Sequence, residues 1–564
     1  MIVERLSRDG LVLVTGRAGV GKSHLIEHEV APRCVGRFLS TVPLVGLPQS
    51  QMEEFIREYA SKLHPPTLLV LDGVLDTEFL PEALLRRGFE LIVVSRTAPV
   101  GWRHVAKVVE VGPFSRGESV QFLTSNRRGL TAEEADRLAE RLGDRPRALT
   151  WSLRWLEPGV TVDRFLRKAR TNAHVMFAEQ PGDQAPSLVA EVRRALDALP
   201  HSGLLSPRDL LGALALIDAV PFPVSGVEAQ PSRLGWRSAL NELPQERRMP
   251  FYNLAGALRI LEQHGLVRVT EGEASLVWLD CQLVRQVLSP AETRRAACLA
   301  ETMLLATVPA SGGVALWEDW PSWEASASAF NAIDPRFVET AAGRYALLAS
   351  CDYLVERDRA GEARDRLLEL RSVWNRTKVV PWEFRLRAID LLAQASFRIN
   401  DTTAARHYAS TSYRTRKAVQ GLLHPDTLAS TAHWAFVSGR IDRLTLLRPL
   451  AKDVPDQRLA LRISAFIAAL RMRSFHDFCP VEEIEEIVRG QSDILGPEHP
   501  HTLVTADLLA RAFSRAGEPE KAIAQYEKTL ECRTRTLGPG HAHTTATSTA
   551  LYRQRRELGR EGLG

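Results

Sequence analysis

The chain has 564 residues, of which 45% are hydrophobic and 25% charged, with a formal net charge of +4. At about 100–200 residues per domain, this is room for about three to five globular domains, each able to bury a core. So diffuse a charge excludes a generally polybasic, nucleic-acid-coating chain, and apolar runs such as 210–224, with Asp218 inside, are too short to span a bilayer.

Residues 10–112 alternate apolar runs with amphipathic stretches. The runs are Leu11–Val14, Arg37–Val45, Leu68–Leu71, Leu91–Val94 and Val108–Val111. Short β-rich runs separated by helical patterns predict a parallel sheet covered by helices. From Ser115 to Glu157 the pattern is helical; Thr131-Ala-Glu-Glu is a capping signal and Gly143 a stop. Residues 170–190 are polar and read as a linker. In 190–300, amphipathic helices are expected over Leu210–Leu216 and Leu254–Leu261. They are followed by a hairpin whose strands, Leu266–Val269 and Leu276–Leu279, flank a turn at Thr270–Ala274. Helices followed by a hairpin predict a winged helix, with 229–250 as a polar insertion.

From about residue 300 the pattern is helical and it repeats. Leu495-Gly-Pro-Glu-His-Pro-His-Thr-Leu returns 42 residues later as Leu537-Gly-Pro-Gly-His-Ala-His-Thr-Thr, with a third relative at Leu423-His-Pro-Asp-Thr-Leu. Small Ala510 and Ala522 let antiparallel helices approach, and Phe513 and Tyr526 fill the space between hairpins, as helical repeats require. The recurring His499, His501, His541 and His543 read as markers of helix starts. The clustered Trp317, Trp320 and Trp323 read as packing residues. The expected domains are 1–112, 113–170, 185–300 and 301–564.

The chemistry sits early in the chain. Gly16-Arg17-Ala18-Gly19-Val20-Gly21-Lys22-Ser23 fits the P-loop pattern completely, after a predicted strand and before a predicted helix. With nine lysines against 63 arginines in the chain, a chance lysine at that position is improbable. Backbone amides of Gly16, Gly19, Val20 and Gly21 would cradle the phosphates of ATP or ADP. Lys22 would reach the β- and γ-phosphates, Ser23 would ligate Mg²⁺, and His24 closes the nucleotide-binding stretch. Leu68-Leu-Val-Leu-Asp72 is an apolar strand ending in a carboxylate, so Asp72 would hold Mg²⁺ through water. Gly73, next in line, has no side chain to activate water, so the chain is at most a slow ATPase. Leu91-Ile-Val-Val-Ser-Arg96 ends in an arginine able to sense the γ-phosphate.

With these motifs in place, the first 300 residues resemble the NB-ARC branch of the STAND signalling ATPases. Gly143-Asp-Arg-Pro146-Arg-Ala-Leu matches that family's Gly-Leu-Pro-Leu segment, and the resemblance implies that Pro146 packs against adenine. The 42-residue repeats look like tetratricopeptide repeats of the kinesin-light-chain type, a pairing familiar in actinobacterial proteins. The implied fold is multidomain: an α/β P-loop domain, a helical domain and winged helix, and an all-α tetratricopeptide solenoid. Three departures stand out. The fifteen residues before Gly16 lack the family's aromatic/apolar-Gly-Arg segment, Gly73 replaces a second acidic residue, and Cys281 stands where the winged helix often presents a phosphate-facing histidine.

The resemblance implies a nucleotide-dependent switch whose repeats bind a protein or peptide partner, with ATP-dependent homo-oligomers as one output. The alternative is a nucleotide-binding scaffold or transcription-regulating adaptor with little ATP turnover. Nucleic acid is disfavoured because Leu254–Leu266 carries only Arg259 and His264 as basic groups. Six cysteines without metal-ligand spacing, and an N-terminus without a secretory pattern, point to a reduced cytoplasmic protein and away from membranes.

Overall fold

A computed structural model describes residues 10–16, 19–34, 38–43, 67–74, 90–95, 107–157, 159–178, 187–200, 205–224, 254–307, 320–377, 380–452, 454, 457–475 and 480–561, with 2, 4, 6, 54, 58, 61 and 62. The chain divides into two compact units. The first holds residues up to 232, 243–307 and 332–337; the second holds 233–242, 308–331 and 338 onward.

The first unit begins with five parallel strands: β1 (Leu11–Thr15), β2 (Phe38–Pro43), β3 (Thr67–Val74), β4 (Glu90–Ser95) and β5 (Lys107–Glu110). Their order across the sheet is β2-β3-β4-β1-β5. All five expected runs are strands. Leu11–Val14, Leu68–Leu71 and Leu91–Val94 are buried at every position, which is why they read as unbroken apolar runs and not as alternation. Val12, Val14, Val70, Ile92 and Val94 pack with Ile26 and Val30 from the segment after the P-loop.

After the sheet come helices α2 (Arg116–Asn126), α3 (Ala132–Leu142), α4 (Pro146–Trp155) and α5 (Val162–Met176), α1 being the short turn Lys22–Leu25. Thr131 and Glu134 form the expected capping box at α3, and Gly143 ends it at φ 69°. The expected linker at 170–190 is in part a helix. α5 runs to Met176 and buries Ala173, Met176 and Phe177, because its apolar residues are spaced on one face among polar ones and average out in composition. Then come α6 (Leu188–Asp197), α7 (Pro207–Ile217), the short strand β6 (Phe222–Pro223), α8 (Leu254–Gln263), α9 (Trp278–Val287) and α10 (Pro290–Ala306). α7 is buried along its whole length, not on one face.

The hairpin is tighter than expected. Its strands are β7 (Arg268–Thr270) and β8 (Glu273–Ser275). Glu271 and Gly272 sit at φ 52° and 80°, the two positive values of a two-residue turn, so Trp278 and Leu279 begin α9 instead of ending a strand. β6 pairs with β8, and this three-stranded sheet with α7, α8 and α9 makes the winged helix. The polar insertion at 229–250 lies outside the described residues.

The second unit is all-α from Ala341 onward, in successive antiparallel helices that end with α20 (Pro500–Arg515), α21 (Pro519–Thr536) and α22 (Ala542–Glu561). Ala510 and Ala522 are fully buried between α20 and α21, with Phe513 and Tyr526 in the same cluster. This is a tetratricopeptide-type solenoid. The recurrent histidines cap helices: the backbone amides of Asp426, His501 and His543 donate to Nδ1 of His424, His499 and His541. Trp317 and the side chains of Trp320 and Trp323 lie outside the described residues.

Candidate functional site: the P-loop and its surroundings

The P-loop leaves the buried strand β1 through Gly16. A Cβ on Gly16 would overlap the carbonyl oxygen of Val111, so this position accepts glycine alone. Gly19 and Gly21 stand at φ 78° and 93°, and Gly21 precedes α1 without any side-chain cap. Val20 is buried and anchors the loop. Beyond α1 the helix continues as a π segment, Ile26–Val30. His24 is exposed and stacks on His28 with ring centroids 4.1 Å apart.

β1 and β3 are not neighbours in the sheet, since β4 lies between them. Even so, Ser23 Oγ donates to Asp72 Oδ2 at 2.7 Å. Two hard oxygens thus meet at the C-terminal edge of the parallel strands, the edge where such sheets bind ligands. Their pairing fits a Mg²⁺ ion held by the hydroxyl directly and by the carboxylate through water. Lys22 Nζ donates to the carbonyl of Gly16 at 2.6 Å, folded back over its own loop. After Asp72 the β3–β4 register shifts, so Gly73 falls in the irregular step.

The Gly143–Leu149 segment lies against this loop. The amide of Arg147 donates to the carbonyl of Gly19 at 3.2 Å, and Pro146 occupies the first turn of α4, half-buried. Asp144 follows Gly143 with φ 54° and holds Arg116 at 3.0 Å through both carboxylate oxygens. Leu188 of α6 stands beside Gly19, 3.3 Å from where a Cβ there would lie. The structure therefore brings together Gly16, Gly19, Val20, Gly21, Lys22, Ser23, Asp72 and the Pro146 segment. Arg96 lies outside the described residues.

Cys281 sits differently from a phosphate-facing group. It is fully buried in the winged helix, and burial pushes its thiol well above the usual range, with Asp218 adding to the effect. Its neighbour Asp280 is the residue that reaches out, pairing with Arg145 at 2.9 Å. Sequence reasoning passed over this pair because its members are 135 residues apart and neither belongs to a local motif. An arginine directly before Pro146, where the resembled segment has leucine, was the one available signal.

A tetratricopeptide-repeat family model matches residues 482–551. No curated protein matches the sequence. Among solved structures, a STAND protein with a tetratricopeptide repeat sensor from Pyrococcus horikoshii is 13% identical, covering 100% of this chain and 89% of its own, with a TM-score of 0.31. A Walker-type ATPase of Pyrococcus abyssi is 14% identical over 50% of this chain and 93% of its own, at 0.32. Kinesin-light-chain TPR-like repeats from Podospora anserina are 20% identical over 34% of this chain and 93% of their own, at 0.26. Among the described residues, no helix is long and apolar enough to cross a membrane.

Proposed function

We propose that the chain is a nucleotide-dependent signalling switch that binds ATP or ADP with Mg²⁺ at Gly16–Ser23. The Ser23–Asp72 contact carries this reading, because it joins the end of a complete P-loop to a strand-end carboxylate across an intervening strand. Lys22 holds the phosphate charge, Ser23 and Asp72 hold the metal, Arg96 senses the γ-phosphate and Pro146 packs on the base. The parts are a nucleotide domain at 1–112, a helical domain at 113–170, a winged helix at 185–300 and partner-binding repeats at 301–564. A protein or peptide ligand on the repeats and ATP-dependent self-assembly in the cytoplasm complete the proposal.

Isothermal calorimetry tests it. Lys22→Ala removes the cation facing the phosphates and is expected to weaken ATP binding by about 2–4 kcal/mol. Unchanged affinity in that variant would remove the P-loop assignment.

Gly73 supports the second reading, a nucleotide-binding scaffold. Hydrolysis needs a group that positions water, and the position after Asp72 supplies none. Steady-state turnover is expected below about 1 s⁻¹, the low end for enzymes. Rapid turnover in a phosphate-release assay would exclude the scaffold.

A further inference from the structure

We infer that a cleft within the second unit, where an early turn of the helical array meets its last turn, binds a small organic monocarboxylate, with Arg357 as the group that grips it. The site shares no residue with the P-loop, and it stands apart from any protein partner of the repeats.

The cleft encloses about 570 Å³, the size of a small-molecule site. One wall is the turn Arg357–Arg359, between α12 (Ala341–Glu356) and α13 (Ala360–Arg376); the other is the turn ahead of α22, with Gly540 and His541. Two bonds tie the walls together. The Ala542 amide donates to Asp358 Oδ2 at 2.6 Å, and His541 Nε2 faces the Glu356 carbonyl at 3.1 Å. The first of these belongs to this copy of the repeat alone. The residues that match Ala542 in the earlier copies are Pro425 and Pro500, and proline has no N–H to donate.

One cation of the cleft is left over. Glu324 accepts from the Tyr353 hydroxyl and from Arg359 at 3.0 Å. Arg359 also holds Glu362 through both carboxylate oxygens, at 2.9 and 2.8 Å. Burial, with the Glu324 bond adding to it, holds the Tyr353 phenol well above its ordinary range, so it stays a donor. Asp358 is taken by the Ala542 amide. Arg357, by contrast, pairs with no carboxylate among the described residues; its bond is to the Leu537 carbonyl at 3.5 Å, the far limit of a hydrogen bond.

A guanidinium fork lining an open cleft matches the two oxygens of a carboxylate. The single surplus charge selects a monoanion. A phosphate would set its second charge against Asp358 and Glu324, the two carboxylates of the same cleft. A carboxylate on Arg357 would lie against both walls and add to the ties that already join them.

Calorimetry on the full chain tests this with benzoate, using benzamide and benzylammonium as neutral and cationic matches at equal ionic strength. Benzoate is expected to bind one to one and the other two not at all. Arg357→Gln is expected to weaken benzoate about tenfold. Gly540→Leu supplies a plug. A Cβ there meets nothing within 4 Å and the backbone is outside the left-handed region, so the added side chain enters the cleft without strain and should abolish binding. No binding of benzoate, equal binding of benzamide, or benzoate binding that neither variant moves would overturn the inference. A tripeptide with a free C-terminus that binds more tightly than benzoate, while its amide does not, would overturn it in favour of a chain end. Hydrogen exchange on the unmodified protein keeps the test independent of how the variants fold. Benzoate should slow exchange at 356–360 and 540–545; protection confined to other segments, or none, overturns the assignment.

Discussion

The helix after Gly21 and the helices after His424, His499 and His541 begin in opposite ways. At Gly21 no side chain caps the helix, and the glycine itself is left-handed. At the three histidines an imidazole nitrogen takes an amide two residues on. A helix start whose amides are left open can receive an anion from outside; one whose amides are closed can only organise its own chain. The contrast separates binding from architecture within one sequence, using two residue types at equivalent places.

The contrast breaks most sharply in the repeats. Asp507 is nearly buried, holding Arg533 at 3.2 Å, Arg511 at 2.6 Å and the Thr547 hydroxyl at 2.8 Å. Asp507→Ala leaves the Arg533 charge buried without its counterion, and is expected to destabilise the last repeats by about 3–5 kcal/mol in chemical denaturation. ATP affinity should not move; a joint loss would mean that the two regions are not separable.

At the loop, Gly21→Ser offers the open helix start a capping hydroxyl. Nothing stands within 4 Å of the added Cβ, so the cost is the backbone at φ 93°, about 1–2 kcal/mol for a residue with a side chain. Weaker ATP binding at nearly unchanged melting temperature is expected. Unaltered binding would show that openness at this position is not what the nucleotide uses.

The smallest effect is a pH dependence of the array. Burial lowers His499 and His543 to about 4, with charged or histidine neighbours adding to it. Both stay neutral when folded, while their unfolded counterparts take a proton below about 6.5. The folded repeats therefore lose stability as pH falls from about 6.5 towards 4, and gain none above it. Glu356 is held below its ordinary value by Arg398 against the cost of its burial, so its contribution is lost only at still lower pH. Melting temperature should drop about 2–4 °C per kcal/mol lost, for an array of about 150–250 residues. A profile flat from pH 7.5 to 5 would contradict the burial of these imidazoles.

The legible parts of the fold were those with a local signature. Buried parallel strands announce themselves as apolar runs, and the P-loop needs only eight consecutive residues. The repeat was visible because Leu495–Leu503 and Leu537–Thr545 are copies. The end of α5 was missed because Arg170-Thr-Asn before it and Glu179-Gln-Pro-Gly-Asp after it make 170–190 polar on average, and the hairpin strands shifted because a two-residue turn at Glu271-Gly272 has no composition cue as strong as Asn-Gly. Arg145 and Asp280 were hidden for another reason: an ion pair between distant segments leaves no pattern along the chain. The expectation for Arg96 falls outside the described residues.

The histidine caps carry one more consequence. A neutral imidazole has two isomeric forms, and an Nδ1 that accepts an amide proton must keep its own proton on Nε2. At His541 that Nε2 faces the carbonyl of Glu356 at 3.1 Å, which a proton there would satisfy. The repeated motif thus acts as a tautomer selector, fixing the same isomer at each turn, and the ring nitrogens of His424, His499 and His541 should give one shared pattern of ¹⁵N shifts, unlike the equilibrium mixture of a free imidazole.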